Sequence, residues 1–308
     1  MNRRMTGNAV QCQGIILARS IGAKAWRALL EEVYTTPKPG LVDLYSCGAH
    51  SDMNVSIFEK SAQALHPYFI QMAALGYEMS GSPEELFHKI REVGVEAERA
   101  MCGATYGVNT HKGLLFTLGI FCAAAGRCIR EDGKLTEKKL FDMEQQMVAK
   151  ILFRELGRIE TKEPESHGEK NLKIYGTLGI RGEAINGYPA IRNIALPVLR
   201  QGISERKEWN LVKLQTLFHL MSEVEDSNII SRHNPQVLFQ VHMEAKEFLK
   251  CGGAYAEDAT EKLQMMDEDY IRRNISAGGC ADLLAAAIFI ELLLNTENPV
   301  LYRKMSEE

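Results

Sequence analysis

The stretch VSIFEKSAQALHPYFIQMAALGYEM, residues 55–79, decides the fold. Phe58, Ala62, Leu65, Phe69, Met72 and Leu75 recur at three- and four-residue intervals. That spacing lines one face of an α-helix, whereas a strand alternates at every second residue. Pro67 predicts a kink within the helix.

The same period extends in both directions. Upstream, Ile16, Leu17, Ile21, Ala25, Leu29 and Val33 mark a helix over residues 14–34. Downstream, Ser82-Pro83-Glu84-Glu85 combines a capping serine, a proline at the first helical position and acids in the first turn. That helix should run to about residue 101. Further helices are expected at 111–130, 136–156, 189–200, 205–225, 235–250, 256–273 and 277–295. In the first of these, Gly113, Gly119 and Gly126 allow close neighbours. Residues 161–173 are strongly polar and read as a loop or lid. No convincing strand alternation, hairpin dipeptide, fixed-period repeat or composition shift interrupts the series. The expected architecture is all-α, a single domain over residues 1–308 with roughly ten helices.

Composition narrows the function. Of 308 residues, 45% are hydrophobic and 25% charged, ordinary values for a globular protein with a sizeable core. A net charge of −4 gives no basic field for nucleic acid or an anionic membrane. An anionic ligand must therefore be met by local cations or a metal. The seven cysteines include no CxxC pair, so neither a disulfide framework nor a zinc cluster is expected. No signal-peptide core follows Arg3 and Arg4, and the apolar tract 281–294 carries Asp282 and Glu291. The tract 113–126 is too short to span a bilayer. A cytoplasmic protein is expected, with a homo-oligomer left open.

Five stretches look unlike packing. In TTPKPGLVDLYSCGAHSDMN (35–54), two prolines and Gly40 carry the chain out of a helix past Lys38, Asp43, His50 and Asp52. GVNTHKG (107–113) places His111 and Lys112 in the first turn of a helix, where the helix dipole disfavours cations unless an anion offsets them. GTLGIRGE (176–183) holds Arg181, a guanidinium suited to phosphate, with Glu183 beside it. DSNIISRH (226–233) offers Asp226 and Asn228, hard oxygen donors for magnesium, though Asp226 equally reads as a helix cap. NISAGGCAD (274–282) starts a helix with Ser276 as its cap and Gly278 and Gly279 in its first turn, leaving backbone amides open to a ligand. Asp282 then follows in an apolar run, where a lone carboxylate is costly without a partner. Acids set beside Lys112, Arg181 and Arg232 point to a magnesium-dependent enzyme acting on a phosphorylated small molecule or nucleotide.

The segments TTPKPGLVD, GAHSDM, NTHKG, LGIRGEA, DSN…R and SxGGxADLLA occur in this order between residues of about 31 and 290. Together they resemble the triphosphoribosyl-dephospho-coenzyme A synthase family. The resemblance implies an all-helical cytoplasmic enzyme. Its substrates would be ATP and 3′-dephospho-coenzyme A, with the acceptor's 2′-hydroxyl displacing adenine from the ribose. The product would serve the acyl carrier protein of citrate lyase or malonate decarboxylase, passed on by a transferase that modifies that carrier. The resemblance implies Mg2+ on the uncleaved triphosphate, held by Asp226 and Asp282 with Asp52. Asp43 or Asp52 would be the base, with His50 beside them. Lys38, His111, Lys112, Arg181, Glu183, Asn228, Arg232, Ser276, Gly278 and Gly279 would bind the nucleotides. Ser46, Asn54, His233 and Ala277 depart from the family's pattern. The alternatives are a magnesium-dependent ribosyl hydrolase and a nucleotide-binding protein without turnover.

Overall fold

The computed structural model describes residues 2–159 and 167–295, and every regular element among them is helical. In order these are α1 (Asn2–Val33), α2 (Val55–Glu78), α3 (Pro83–Ala104), α4 (Lys112–Asp132), α5 (Glu137–Ile159), α6 (His167–Tyr175), α7 (Gly179–Ile185), α8 (Leu196–Ser204), α9 (Trp209–Met221), α10 (Ser227–Arg232), α11 (Pro235–Lys250), α12 (Ala259–Arg272) and α13 (Gly278–Leu294). The all-α expectation holds. The number exceeds the expected one because short α6, α7 and α10 form in stretches without a long apolar period.

Local differences have local causes. Of the expected polar loop, 161–166 lie outside the described residues, and the remainder belongs to α6. Asn171 fixes α6 by donating to Ser227 O at 2.9 Å and Ser231 Oγ at 2.8 Å. The helix expected from 205 starts at Trp209 instead. Arg206 has φ 57°, and the Glu208 carboxylate caps the new start by accepting from Asn210 N and Leu211 N. A π-helical turn, Ile191–Ala195, leads into α8. Helix α2 continues across Pro67. Helix α3 opens with the capping box its sequence predicts, Ser82 and Glu85 bonding reciprocally.

The chain's contacts group into two compact units interleaved in sequence. One comprises residues 1–30, 56–165 and 180–188, the other 31–55, 166–179 and 189–308. In the first unit α3, α4 and α5 pack against one another. Helix α4 is the core, buried at nearly every position from Leu114 to Cys128. It is long and apolar enough to cross a membrane, yet 78% of that window is buried inside the protein. Glycines bring α2 and α4 into backbone contact. A Cβ at Gly76 would meet Ala123 O at 2.0 Å, and one at Gly126 would meet Ala73 O at 2.3 Å.

In the second unit α13 is buried from Cys280 to Leu293 at every position but Asp282, and packs against α8, α9 and α10. Helix α9 also packs on α11. The non-helical chain 34–54 lies in this unit, so it is held against a helical frame.

Candidate active site

The loop between α1 and α2 is built around Asp43. Its Oδ2 accepts from Lys38 N and Thr36 Oγ1, both at 2.9 Å. Its Oδ1 accepts from Tyr45 N and Ser46 N, both at 2.8 Å. Asp43 is buried, with four protein donors on one carboxylate. That is the chemistry of a loop brace. Two glycines let the loop close. Gly40 has φ 69°, and a Cβ there would meet Ile275 O at 2.1 Å. Gly48 has φ 58° and would meet the Gly40 carbonyl at 2.6 Å. Asp267 in α12 accepts from Gly40 N at 2.8 Å and fixes this face of the loop.

Lys38 is also spent internally. It is buried, and its ammonium bonds the Glu32 carboxylate and, at 2.8 Å, the Glu32 carbonyl. In this arrangement the ammonium is occupied by Glu32.

Asp226 joins two helices. Its Oδ1 accepts from Asn228 N at 2.8 Å and Ile229 N at 3.3 Å, capping α10. Its Oδ2 accepts from Cys280 N at 2.8 Å in the first turn of α13. Burial raises its pKa, and these backbone bonds lower it. Gly278 and Gly279 permit the approach: a Cβ at Gly279 would meet Asp226 Oδ2 at 3.0 Å, and one at Gly278 would meet Asn228 Nδ2 at 2.8 Å. The α13 start is therefore met by Asp226 and Asn228, contrary to the expected open amides. Ser276 does not cap it either, because the N-cap position falls on Ala277.

Asp282 differs from both. It is half-buried on α13, and no protein hydrogen bond contributes to its state among the described residues. Burial pushes its pKa well up, and the carboxylates of Glu32 and Asp226 push it further. Asp282 thus lies in the field of two further carboxylates, an arrangement that attracts a cation. Among the described residues no group of three or more His, Cys, Asp or Glu side chains is placed to hold a metal by itself. Magnesium differs from zinc in needing only one or two carboxylates together with substrate phosphates. Asp282, with Asp226 and Glu32 behind it, fits that requirement.

A second cluster links three stretches. Arg232 Nη1 donates to Ala49 O and to Asn274 Oδ1, both at 2.9 Å. Its Nη2 lies 2.9 Å from His50 Nδ1 and 3.3 Å from Nε2. His50 Nε2 is 3.0 Å from Ser276 Oγ. Burial and then the Arg232 charge hold the imidazole pKa down to about 4, although Asp52 pulls it the other way. Asp52 is largely exposed, its Oδ1 3.9 Å from His50 Nδ1. Asn228 is exposed beside this cluster's helix α10.

The remaining expected residues belong to the first unit. His111 is the N-cap of α4 and is buried, with Nδ1 2.7 Å from Ser61 Oγ and its ring edge-on to Phe58. It packs α4 on α2. Lys112 is exposed and pairs with Glu98 at 2.5 Å, so a protein carboxylate supplies the negative charge expected from a ligand. Arg181 and Glu183 lie half-buried on α7.

Sequence reading missed Glu32 and Asp267. Glu32 was detectable: it continues the apolar stripe of Ala25, Ala28 and Leu29 at helical spacing, the same anomaly that marks Asp282. Asp267 sits among exposed acids on α12, and its sequence gives no sign of Gly40 nearby.

The class defined by these features is an all-helical protein with acids gathered where α10 meets α13. The chain belongs to the CitG family, described as ATP:dephospho-CoA triphosphoribosyl transferase, whose model matches residues 18–300. Curated relatives named 2-(5''-triphosphoribosyl)-3'-dephosphocoenzyme-A synthase agree. One from Escherichia fergusonii is 36% identical over 92% of this chain and 94% of its own length. One from Klebsiella pneumoniae is 38% identical over 89% of this chain and 90% of its own. A probable synthase from Vibrio cholerae is 36% identical over 89% and 88%. No solved structure matches.

Proposed function

We propose that this chain carries out its family's reaction, moving the 5-triphosphoribosyl group of ATP to the 2′-hydroxyl of 3′-dephospho-coenzyme A and releasing adenine. The bond from the ribose anomeric carbon to adenine breaks, and a bond from that carbon to the acceptor oxygen forms. The acceptor hydroxyl gives its proton to a base, and adenine leaves with the electron pair of the broken bond. The triphosphate stays on the ribose throughout.

The observation that carries the site is Asp282, a half-buried carboxylate with no protein hydrogen bond among the described residues, in the field of Glu32 and Asp226. Asp282 holds Mg2+ together with the nucleotide phosphates, and Asp226 supplies negative potential from behind. When bound, the ion would neutralise triphosphate charge. The negative field around Asp282 also stabilises positive charge developing on the ribose, as carboxylates do in glycosyl transfer to water. Asp52, exposed and not enclosed by donors as Asp43 is, takes the acceptor's proton. The product then passes to a transferase acting on an acyl carrier protein, and the reaction takes place in the cytoplasm. All seven cysteines are free, as a reducing compartment requires.

Adenine release from ATP, followed with and without dephospho-coenzyme A, tests this reading. Release that requires the acceptor and matches product formation is expected. Equal release without acceptor would make the chain a hydrolase, and nucleotide binding without release would make it a non-catalytic binder.

A further inference from the structure

A cavity of about 210 Å³ opens among α2, α3 and α4 of the first unit. Its walls are apolar, with Met72, Phe87, Leu115 and Phe116 among the side chains that line it. Phe87 and Phe116 meet edge to face, their ring centroids 6.4 Å apart. Arg91, Glu98 and Lys112 also line it, and each is held in an ion pair. Lys112 pairs with Glu98 and Arg91 with Glu155, both at 2.5 Å. The side chains of Arg91 and Lys112 are about half exposed, which places them at the mouth. The mouth therefore carries no unbalanced charge. Gly94 keeps the cavity open. It lies inside α3, where glycine is a poorer helix former than any residue but proline. Close packing does not demand it: a Cβ there would meet only the Met72 methyl, at 3.8 Å. Gly76 and Gly126, by contrast, are pressed by backbone. What Gly94 preserves is space.

We propose that this cavity receives the thiol end of the acceptor's pantetheine arm. This rests on dephospho-coenzyme A being the acceptor. Of all the parts of the two substrates, the end of that arm alone is both neutral and largely apolar. A phosphate chain would need cations that are already paired at the mouth. Adenine would need hydrogen-bond partners for its ring nitrogens and amino group, and the walls offer methyl groups, rings and a thioether. A dry cavity of about 150 Å³ takes a benzene molecule, so this one has room for two methylenes and a thiol. A sulfur atom also packs well against the edges of Phe87 and Phe116. The consequence is specificity. Both substrates are adenine nucleotides, and only the acceptor carries the arm. The arm takes no part in the bond changes at the ribose, so its burial lowers KM for the acceptor and leaves kcat alone.

Dephospho-coenzyme A and ADP, which lacks the arm, test this on the full chain. In calorimetry dephospho-coenzyme A should bind about tenfold tighter than ADP, or more, for the methylenes it buries. Gly94→Leu puts a side chain into the space. It should bring the two ligands within about threefold of each other and leave the affinity for ATP unchanged. Gly94→Ala should melt at or above wild type, because the position has room for a Cβ and alanine favours the helix; a lower melt would show that Gly94 serves packing and overturn the argument from space. A second readout needs no change at Gly94. With [13C]methyl-labelled methionine, the Met72 signal, assigned by its loss in Met72→Leu, should shift on adding dephospho-coenzyme A and stay in place with ADP. Equal affinities for the two ligands, a preference that survives in folded Gly94→Leu, or an unmoved Met72 signal would overturn the assignment. Acceptor-dependent adenine release tests the reaction separately. Turnover with an unmoved Met72 signal removes the cavity assignment alone, and a shifted signal without turnover removes the reaction alone.

Discussion

Two aspartates within the second unit show how a carboxylate's surroundings decide its use. Asp43 accepts four protein hydrogen bonds, and Asp282 has none contributing to its state. Sequence named both as functional acids, Asp43 as a candidate base in a polar, proline-shaped loop and Asp282 as a metal ligand in an apolar run. Sequence shows which acids are unusual, but not how many donors the folded backbone turns toward each. Asp43→Asn is expected to lower stability by about 2–3 kcal/mol, because an amide cannot accept four hydrogen bonds and donors are left unmet. Turnover per folded molecule should survive, as thermal melts and active-site titration would show. Asp282→Asn should do the opposite. A carboxyl whose folded pKa is raised loses stability as pH climbs from the ordinary carboxylate range through that raised value. Its amide escapes this loss, so the melting temperature near neutral pH should be unchanged or higher. A gain of about 1 kcal/mol would appear as about 2–4 °C.

At the scale of elements, the junction of α10 and α13 is organised by one side chain. Asp226 caps both starts. Asn is a good cap for one helix but offers a single accepting oxygen, so Asp226→Asn should cost about 1–2 kcal/mol. It should also weaken Mg–ATP binding by removing the negative charge behind Asp282, which calorimetry would detect. The glycines of this junction were read as an opening for a ligand, and the structure gives them a different cause: Asp226 and Asn228 occupy the space a Cβ needs. Glycine marks a close approach without naming what approaches. In α4 the glycines were expected to admit close neighbours, and there Gly126 is pressed by a neighbouring backbone and Gly119 by Met72. Gly76→Ala places a Cβ against Ala123 O and should cost about 1–3 kcal/mol despite alanine's better helix propensity. A melting temperature at or above wild type would show that α2 and α4 separate freely.

At the scale of the whole molecule, helical periodicity made the fold class legible because long amphipathic segments repeat their pattern many times. The division into two compact units was not legible. Each unit draws on non-consecutive segments, so no composition boundary falls between them. The reaction became legible only through six motifs in order, and the family match over residues 18–300 agrees with it. The motifs did not separate residues that build the site from those that act in it. Asp43, Lys38, His111, Asp226 and Arg232 are tied into the protein, whereas Asp282 and Asp52 remain available. The most direct measurement is adenine release from Mg–ATP by Asp282→Asn in the presence of dephospho-coenzyme A, with folding verified by its melt. A loss in kcat/KM of about 100-fold or more, about 2.7 kcal/mol at the transition state, is expected from a folded variant. Release within about threefold of wild type, less than 1 kcal/mol on the same scale, would contradict the placement of the chemistry at Asp282.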